Sequence, residues 1–274
     1  MAATNLEPVF PWLDRWALTP DGEPIATHSS VLLPVRRGDV PSMLKVATAE
    51  EERPGAALMA WWGGEGAARV LARERDALLM ERVEGGRSLA EMARAGVAGD
   101  NEASRLLCAA AARLHARAGE PPPGLVPLSR WFAALEPAAA RHGGVLREAA
   151  AVARELLAAP REVVVLHGDL HHGNVLDGGP RGWLAIDPKG LLGERGFEFA
   201  NIFCNPDFAV AAAPGRLARQ ATVVAAAAKL DRPRLLRWVL AYAGLSAAWT
   251  LEDGEHPELA LGVAEIAARE LHGR

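Results

Sequence analysis

With 274 residues, 50% of them apolar, the chain is long enough to bury a sizeable core as one large domain or two modest ones. A net charge of −4 leaves no concentrated basic surface, which argues against nucleic-acid or anionic-membrane partners and favours a small neutral or cationic one. The opening MAATNLEPVF has no basic segment followed by an apolar core, and no later run reaches eighteen uninterrupted apolar residues, so a cytoplasmic protein is expected.

From Trp16 to Val46 short strands alternate with turns: Gly38 to Pro41 separates VLLPV from SMLKV, the pattern of antiparallel hairpins. Lys45 lies inside the second of these strands, and strand alternation alone would turn it to solvent. Glu50 to Trp62 reads as a helix, with Thr48 as its N-cap and Glu50, Glu51 and Glu52 meeting the positive end of its dipole. Gly63-Gly64 ends it. Two further strands, AARVLARE and ALLMERV, flank Arg75-Asp76, and Gly85-Gly86 then break the chain before Ser88, a helix cap. The division expected is a small antiparallel-sheet lobe with one main helix over residues 1–83, a linker over 84–87, and a larger, mostly helical lobe over 88–274.

Beyond Gly86, Asn101 to Ala118 carries apolar residues at the spacing of one helical face. Pro121-Pro122-Pro123-Gly124 is a stiff connector, and Ser129 to Ala140 and Val145 to Leu157 form a helical pair parted by His142-Gly143-Gly144. Further helices are expected near Leu217 to Leu230, Pro233 to Leu251 and Pro257 to Leu271. Cys108 and Cys204 stand far apart in apolar surroundings without metal-ligand spacing, as reduced core thiols do.

Between these helices, Val163 to Leu166 is a buried strand that delivers His167, Gly168 and Asp169 to a loop. Val175-Leu176 and Trp183 to Ile186 are apolar stubs on either side of Asp177 to Gly182, a run of turn formers, so a hairpin brings Asp187 back beside Asn174. Asn174 offers a neutral oxygen and Asp187 an anionic one, a pair suited to a hard cation such as Mg²⁺ that shares its other positions with water and phosphate. Asp169, five residues before Asn174, can face the open side of that cation as the base for a substrate hydroxyl. H-x-D-x-x-x-x-N with a following acid is the kinase catalytic pattern. Two other readings stand beside it: a metal-dependent hydrolase using His167, Asp169, His171 and His172, and a nucleotide-binding module without catalysis. The hydrolase leaves Lys45, Asn174 and Asp187 without work, whereas a kinase uses Lys45, held by Glu52 on the following helix, to orient the α- and β-phosphates of ATP. The backbone at Glu81 and Val83 then becomes the adenine contact.

The blocks HGDLHHGNVL and WLAIDPKGLLGERGFEFAN, with SSVLLPV, the Lys45 strand, ERPGAALMAWWGGEG, ALLMERV and LSAAWT, resemble the aminoglycoside phosphotransferase superfamily, and within it the streptomycin 6-phosphotransferase and hydroxyurea phosphotransferase group. The resemblance spans nearly the whole chain. It implies an α+β, two-lobed protein-kinase-like fold and ATP-dependent, Mg²⁺-assisted transfer of the γ-phosphoryl group to a small-molecule hydroxyl, with a housekeeping sugar or cyclitol kinase as the alternative on the same scaffold. By motif position it implies Asp169 as base, Asn174 and Asp187 as metal ligands, and Lys45 with Glu52 at ATP. Where the family pattern would have a glycine-rich phosphate loop this chain has Thr27-His28-Ser29-Ser30, so Ser29 and Ser30 are expected to cap the phosphates. A cationic acceptor calls for carboxylates beside Asp169; Glu194 and Glu198 are expected there, with Asp207, Asp253 and Glu255 as further candidates, and Lys189 is expected to turn away or pair with an acid.

Overall fold

The computed structural model describes residues 7–273. Its N-terminal part is a six-stranded antiparallel sheet in the order β1-β3-β4-β6-β5, with β2 paired to β3. The strands are β1 (Leu18–Pro20), β2 (Ile25–Ala26), β3 (Ser30–Arg37), β4 (Val40–Ala47), β5 (Val70–Glu74) and β6 (Ala77–Glu81). A short helix, α1 (Phe10–Arg15), which hydrophobic spacing did not announce, precedes them. Val31, Leu33, Val35, Leu44, Val46 and Leu79 share one face and bury it with Val9 and Leu18. Lys45 alternates away from Leu44 and Val46, as a strand residue must, but its face is covered by α2 (Arg53–Trp62), and it is 8% exposed. The covering helix, and not a failure of alternation, removes it from water.

The expected single helix from Glu50 divides into a 3-10 turn, Glu50–Glu52, and α2. Ala49 precedes the turn without a side-chain cap, so Thr48 does not act as the N-cap. Gly63, at φ 60, ends α2 in the left-handed conformation that glycine adopts without cost. Ser88 does cap the next helix, accepting from Glu91 N at 3.3 Å.

The remaining chain holds α3 (Leu89–Arg94), α4 (Val97–His115), β7 (Val126–Pro127), α5 (Leu128–Trp131), α6 (Leu135–His142), α7 (Val145–Ala158), β8 (Val163–Leu166), β9 (Val175–Asp177), β10 (Trp183–Ala185), β11 (Leu191–Glu194), α8 (Phe208–Ala211), α9 (Arg216–Ala228), α10 (Arg232–Glu252) and α11 (Glu258–His272). The helix expected over Ser129 to Ala140 is interrupted by a 3-10 turn at Phe132–Ala134; Pro137, lacking an N–H, stands in the first turn of α6 where that donor is not needed. α10 is buried on nearly every side, from Leu235 through Ala248, and packs against α7, α11 and the 3-10 segment Arg195–Cys204. It is the post around which the helical part is built. Both cysteines lie in this core, their thiols pushed up to about 12 by burial. Among the described residues no helix is long and apolar enough to cross a membrane.

Two small sheets sit above this core: the antiparallel pair β9–β10, and β7-β11-β8, in which β11 runs parallel to β7 and antiparallel to β8. They carry the loop between β8 and β9 and the segment after β10, and so position everything that follows.

Candidate active site

The hairpin β9–β10 pairs Val175 with Ala185 and Asp177 with Trp183, and Ile186 N donates to Asn174 O at 2.9 Å, so Asp187 emerges beside Asn174. Its backbone takes the left-handed φ of 58°, strained for a residue with a Cβ and tolerated here because both flanks are pinned. On the other flank Lys189 N donates to His167 O at 2.7 Å. His167 is wholly enclosed: Nε2 lies 2.8 Å from Ile186 O and Nδ1 accepts from Asp169 N at 3.2 Å. The ring ties the loop to the segment that carries Asp187.

Asp169 points from this loop with its carboxylate held by two amides. Asn174 Nδ2 donates to Oδ2 at 3.1 Å, and Asn201 Nδ2 to Oδ1 at 2.8 Å. Burial, aided by the charges of Asp187 and Glu198 and opposed by Lys189 and Asn174, pushes its pKa up to about 7. Its side chain still keeps 26% exposure, all that a hydroxyl needs to reach it. Asn174 commits its nitrogen to Asp169, also donating to its main-chain oxygen at 2.9 Å, so its amide oxygen is the atom free for a cation.

Lys45 Nζ bonds both Glu52 and Asp187. Glu52, 5% exposed, also accepts from Ser29 Oγ at 2.5 Å and from Lys189 Nζ at 3.4 Å. Burial works most strongly against both carboxylates, yet Lys45, joined by Lys189 and, for Glu52, by Ser29, holds each below its ordinary pKa. Glycines let the two parts of the chain meet here: a Cβ on Gly55 of α2 would overlap the Pro188 carbonyl oxygen, and one on Gly190 would come within 2.7 Å of the Pro54 backbone. Lys45, Glu52, Asp169, Asn174 and Asp187 are thus brought together by a sheet, a helix and a hairpin.

Several expected positions are elsewhere. Ser29 and Ser30 are buried, and their hydroxyls are engaged by Glu52 and, at 2.8 Å, by Thr27 Oγ1, so the hydroxyls do not stand free to cap phosphates. The Glu81 N–H donates to Arg69 O at 2.9 Å and its carboxylate takes Arg181 and Arg69 N, while Val83 follows in the connection beyond β6. Glu194 is not at the acceptor. It is buried behind β11, bonded to Arg234 at 2.6 Å, Trp238 Nε1 at 2.8 Å and Arg161 N at 2.9 Å, because strand β11 turns its end away from the loop. Glu198 is not an acceptor contact either. It is 1% exposed and lies under the loop, accepting from His167 N at 2.8 Å, Gly168 N at 2.9 Å and His115 Nε2 at 3.0 Å. Asp207 caps α8 and pairs with Arg94, and Glu255 is exposed beyond the end of α10.

The loop histidines do not converge on an ion, and among the described residues no three His, Cys, Asp or Glu side chains form a metal-holding group. His171 Nδ1 accepts from Gly173 N at 3.0 Å, while His172 is buried with neither nitrogen bonded. Burial pushes their pKa down to about 4 and about 3, leaving both neutral at pH 7.

Asp169 and Lys189 open onto a cleft of about 710 Å³. It is lined by Glu50 and Glu51 ahead of α2, by Glu252 and Asp253 at the end of α10, and by Trp131, Trp249 and Tyr242. The two indoles meet edge to face at 5.2 Å. Carboxylates outnumber the cations Arg130 and Lys189. Of the expected acids only Asp253 is here; neither motif nor spacing singles out Glu252, the aromatic wall or Asn201. Asn201 left one signal, an amide inside the apolar run FEFANIF, where a buried polar group must find a partner.

A family model described as aminoglycoside/hydroxyurea antibiotic resistance kinase matches residues 15–254. The chain is 56% identical to a streptomycin 3''-kinase of Klebsiella pneumoniae, over 88% of this chain and 92% of that protein. It is 34% identical to a hydroxyurea phosphotransferase of Kitasatospora aureofaciens (94% and 77% covered) and 33% identical to a streptomycin 6-kinase of Streptomyces griseus (88% and 81%). Two solved structures share the fold: aminoglycoside phosphotransferase APH(4)-Ia with ADP and hygromycin B, at TM-score 0.65 and 13% identity over 97% of this chain and 98% of that one, and APH(3'')-Id of Streptomyces rimosus with ADP and streptomycin, at 0.58 and 20% over 88% and 97%. The α+β fold with an antiparallel N-terminal sheet and a helical C-terminal part is therefore the protein-kinase-like one.

Proposed function

Because the chain belongs to the aminoglycoside/hydroxyurea antibiotic resistance kinase family, we propose that it inactivates streptomycin by moving the γ-phosphoryl group of ATP to a hydroxyl, that of the 3'' position. The relative named for the 3'' position is 56% identical and the one named for the 6 position 33%, which supports the choice between them. The observation that carries the reaction is the Asp169 carboxylate, oriented by Asn174 and Asn201 at the floor of an acidic cleft.

Residues 1–83 form the nucleotide lobe in this reading, 84–87 the hinge and 88–274 the acceptor lobe. Lys45, fixed by Glu52, steadies the α- and β-phosphates. The free oxygens of Asn174 and Asp187 fit a hard cation. Mg²⁺ held there would neutralise charge on the β- and γ-phosphates. Asp169 takes the acceptor hydroxyl's proton, its raised pKa placing it close to the working pH. Glu198 keeps the His167-Gly168 backbone, and hence Asp169, in place. Glu50, Glu51, Glu252 and Asp253 attract a guanidinium-bearing acceptor, and the indole wall stacks on it.

The test is ADP release from ATP with streptomycin or hydroxyurea as acceptor, with mass spectrometry for an added phosphoryl group and phosphorus NMR to place it. Asp169→Ala should lower turnover by about 10² to 10⁴-fold while MgATP still binds. Product formation at the wild-type rate in that variant, or no product with either acceptor, would refute the reading.

A further inference from the structure

We propose that Lys189 is a catalytic residue that donates to the γ-phosphoryl group and carries part of its charge as it crosses from the nucleotide side to Asp169. The inference rests on the kinase reading above and adds a group to it.

Glu52 lies between two lysines on opposite sides of the Asp187-Pro188 segment. Lys45 lines the narrow recess that Glu52, Asp187 and Pro188 enclose, the nucleotide side. Lys189 lines the acceptor cleft with Gly168 and Asp169. The phosphoryl group must pass between these two spaces: its P–O bond to the β–γ bridging oxygen of ATP breaks, a P–O bond to the acceptor oxygen forms, the hydroxyl proton goes to Asp169, and ADP leaves. Along that path the protein presents the carboxylate of Asp169, which repels the three non-bridging oxygens. The loop supplies no cation against them. Asn174 and Asn201 are neutral, His167 and His171 each use one ring nitrogen as an acceptor from a backbone N–H, and Lys45 is bonded to Glu52 and Asp187. Lys189 is the ammonium on the acceptor side of that path, and preorganised charge aimed at developing charge is the largest source of catalysis in such sites.

Its backbone is held for the task. Lys189 N donates to His167 O at 2.7 Å, and Pro188 and Gly190 press against Gly55 and Pro54 of α2. Its ammonium is loosely held: the bond to Glu52 is 3.4 Å, against about 2.7 to 2.9 Å for a tight charge-assisted pair, and the side chain is 26% exposed. Exchanging Glu52 for a phosphoryl oxygen therefore costs little, since Glu52 keeps Lys45 and Ser29.

Lys189→Met removes the charge and keeps the stem; Lys189→Arg keeps the charge. Calorimetric titration of the three proteins with MgATP and with MgADP tests the contact directly, because only ATP carries the γ-phosphoryl group. Lys189→Met should weaken MgATP by about tenfold, a loss of about 1.4 kcal/mol, while MgADP changes by less than about threefold, and Lys189→Arg should recover most of the loss. Turnover of Lys189→Met should fall by about 10² to 10³-fold with the acceptor KM nearly unchanged. Equal weakening of MgATP and MgADP would overturn the proposal and leave Lys189 a staple for Glu52; a change confined to the acceptor KM would overturn it in favour of an acceptor contact. If the wild-type protein phosphorylates none of the acceptors tried, the two titrations still decide the role of Lys189, so failure of the acceptor reading and failure of this one are separate results.

Discussion

Replacing Glu198 by Gln separates a brace beneath the catalytic loop from a carboxylate that binds the acceptor. In the wild-type protein its two oxygens accept from His167 N, Gly168 N and His115 Nε2 at 2.8 to 3.0 Å, all inside the core. Hydrogen bonds to a charged partner contribute about 1.5 to 3 kcal/mol each. An amide of the same shape presents N–H where one oxygen stood, so at least one buried donor faces another donor, at a further cost of about 1 to 3 kcal/mol. The expected loss is about 3 to 5 kcal/mol, which for a chain of this size lowers the melting temperature by roughly 10 °C. The loop should shift with it, and a displacement of an ångström at Asp169 costs about 10²-fold in turnover. Thermal melts and steady-state kinetics read both effects. An unchanged melting temperature combined with a large rise in the acceptor KM would refute this reasoning and return Glu198 to the acceptor pocket.

Asp100 is buried against Arg216, Arg219 and Gln220, and although burial opposes its charge, Arg216 first among these partners holds its pKa below the ordinary carboxylate value. Its stabilisation is therefore complete above the unfolded pKa of about 3.9 and lost as pH falls through the lower folded value; Asp100→Asn should cost about 3 to 5 kcal/mol at pH 7 by leaving Arg216 with an uncompensated charge and should flatten the acid limb of a urea-midpoint profile, whereas a profile parallel to wild type would count against the network. Gly55→Ala, which by helix propensity alone would stabilise α2 by about 1 kcal/mol, should instead destabilise the protein and weaken MgATP because its Cβ meets the Pro188 carbonyl; a higher melting temperature would show that α2 and the Asp187 segment are not in that contact. Raising salt from about 0.05 to 0.5 M shortens the screening length to a few ångström, so the KM for a guanidinium-bearing acceptor should climb several-fold while that for uncharged hydroxyurea stays put, and parallel changes would mean that the cleft carboxylates do not select for charge.

The catalytic stretch was legible because its chemistry is local. Asp177 to Gly182 can only turn, which forces β9 against β10 and sets Asp187 beside Asn174 without any knowledge of the rest of the chain. Lys45 needed one fact more, since the same alternation describes a lysine facing water and one facing α2; only the packing of that helix on the sheet distinguishes them. Glu194 and Glu198 show the limit of sequence proximity. Both follow Asp187 closely, yet β11 and the 3-10 segment Arg195–Cys204 carry them away from the cleft and under the loop, directions that spacing does not encode. That the hydroxyls of Ser29 and Ser30 are taken by Glu52 and Thr27 is not legible in the same way, because sequence shows a side chain's chemistry and not its existing partners.

The acceptor cleft obeys the opposite logic. Its walls come from residues near 50, 124–131, 168–189 and 242–253, and each piece has an ordinary reading by itself: Glu50 and Glu51 complement a helix dipole, Glu252 and Asp253 end a helix in solvent, and Trp131 and Trp249 look like core. They become a site only because α10, buried almost all round, holds its C-terminal end at the cleft that Glu50 and Glu51 also line. The division has a functional consequence. Substitutions in the walls near 50, 124–131 and 242–253 change charge and shape without touching Asp169, Glu198, Asn201 or the hairpin, which hold the reacting groups. One fold can then keep its phosphoryl chemistry while its acceptor changes, as a family whose members are named for the 3'' and 6 positions of streptomycin and for hydroxyurea requires.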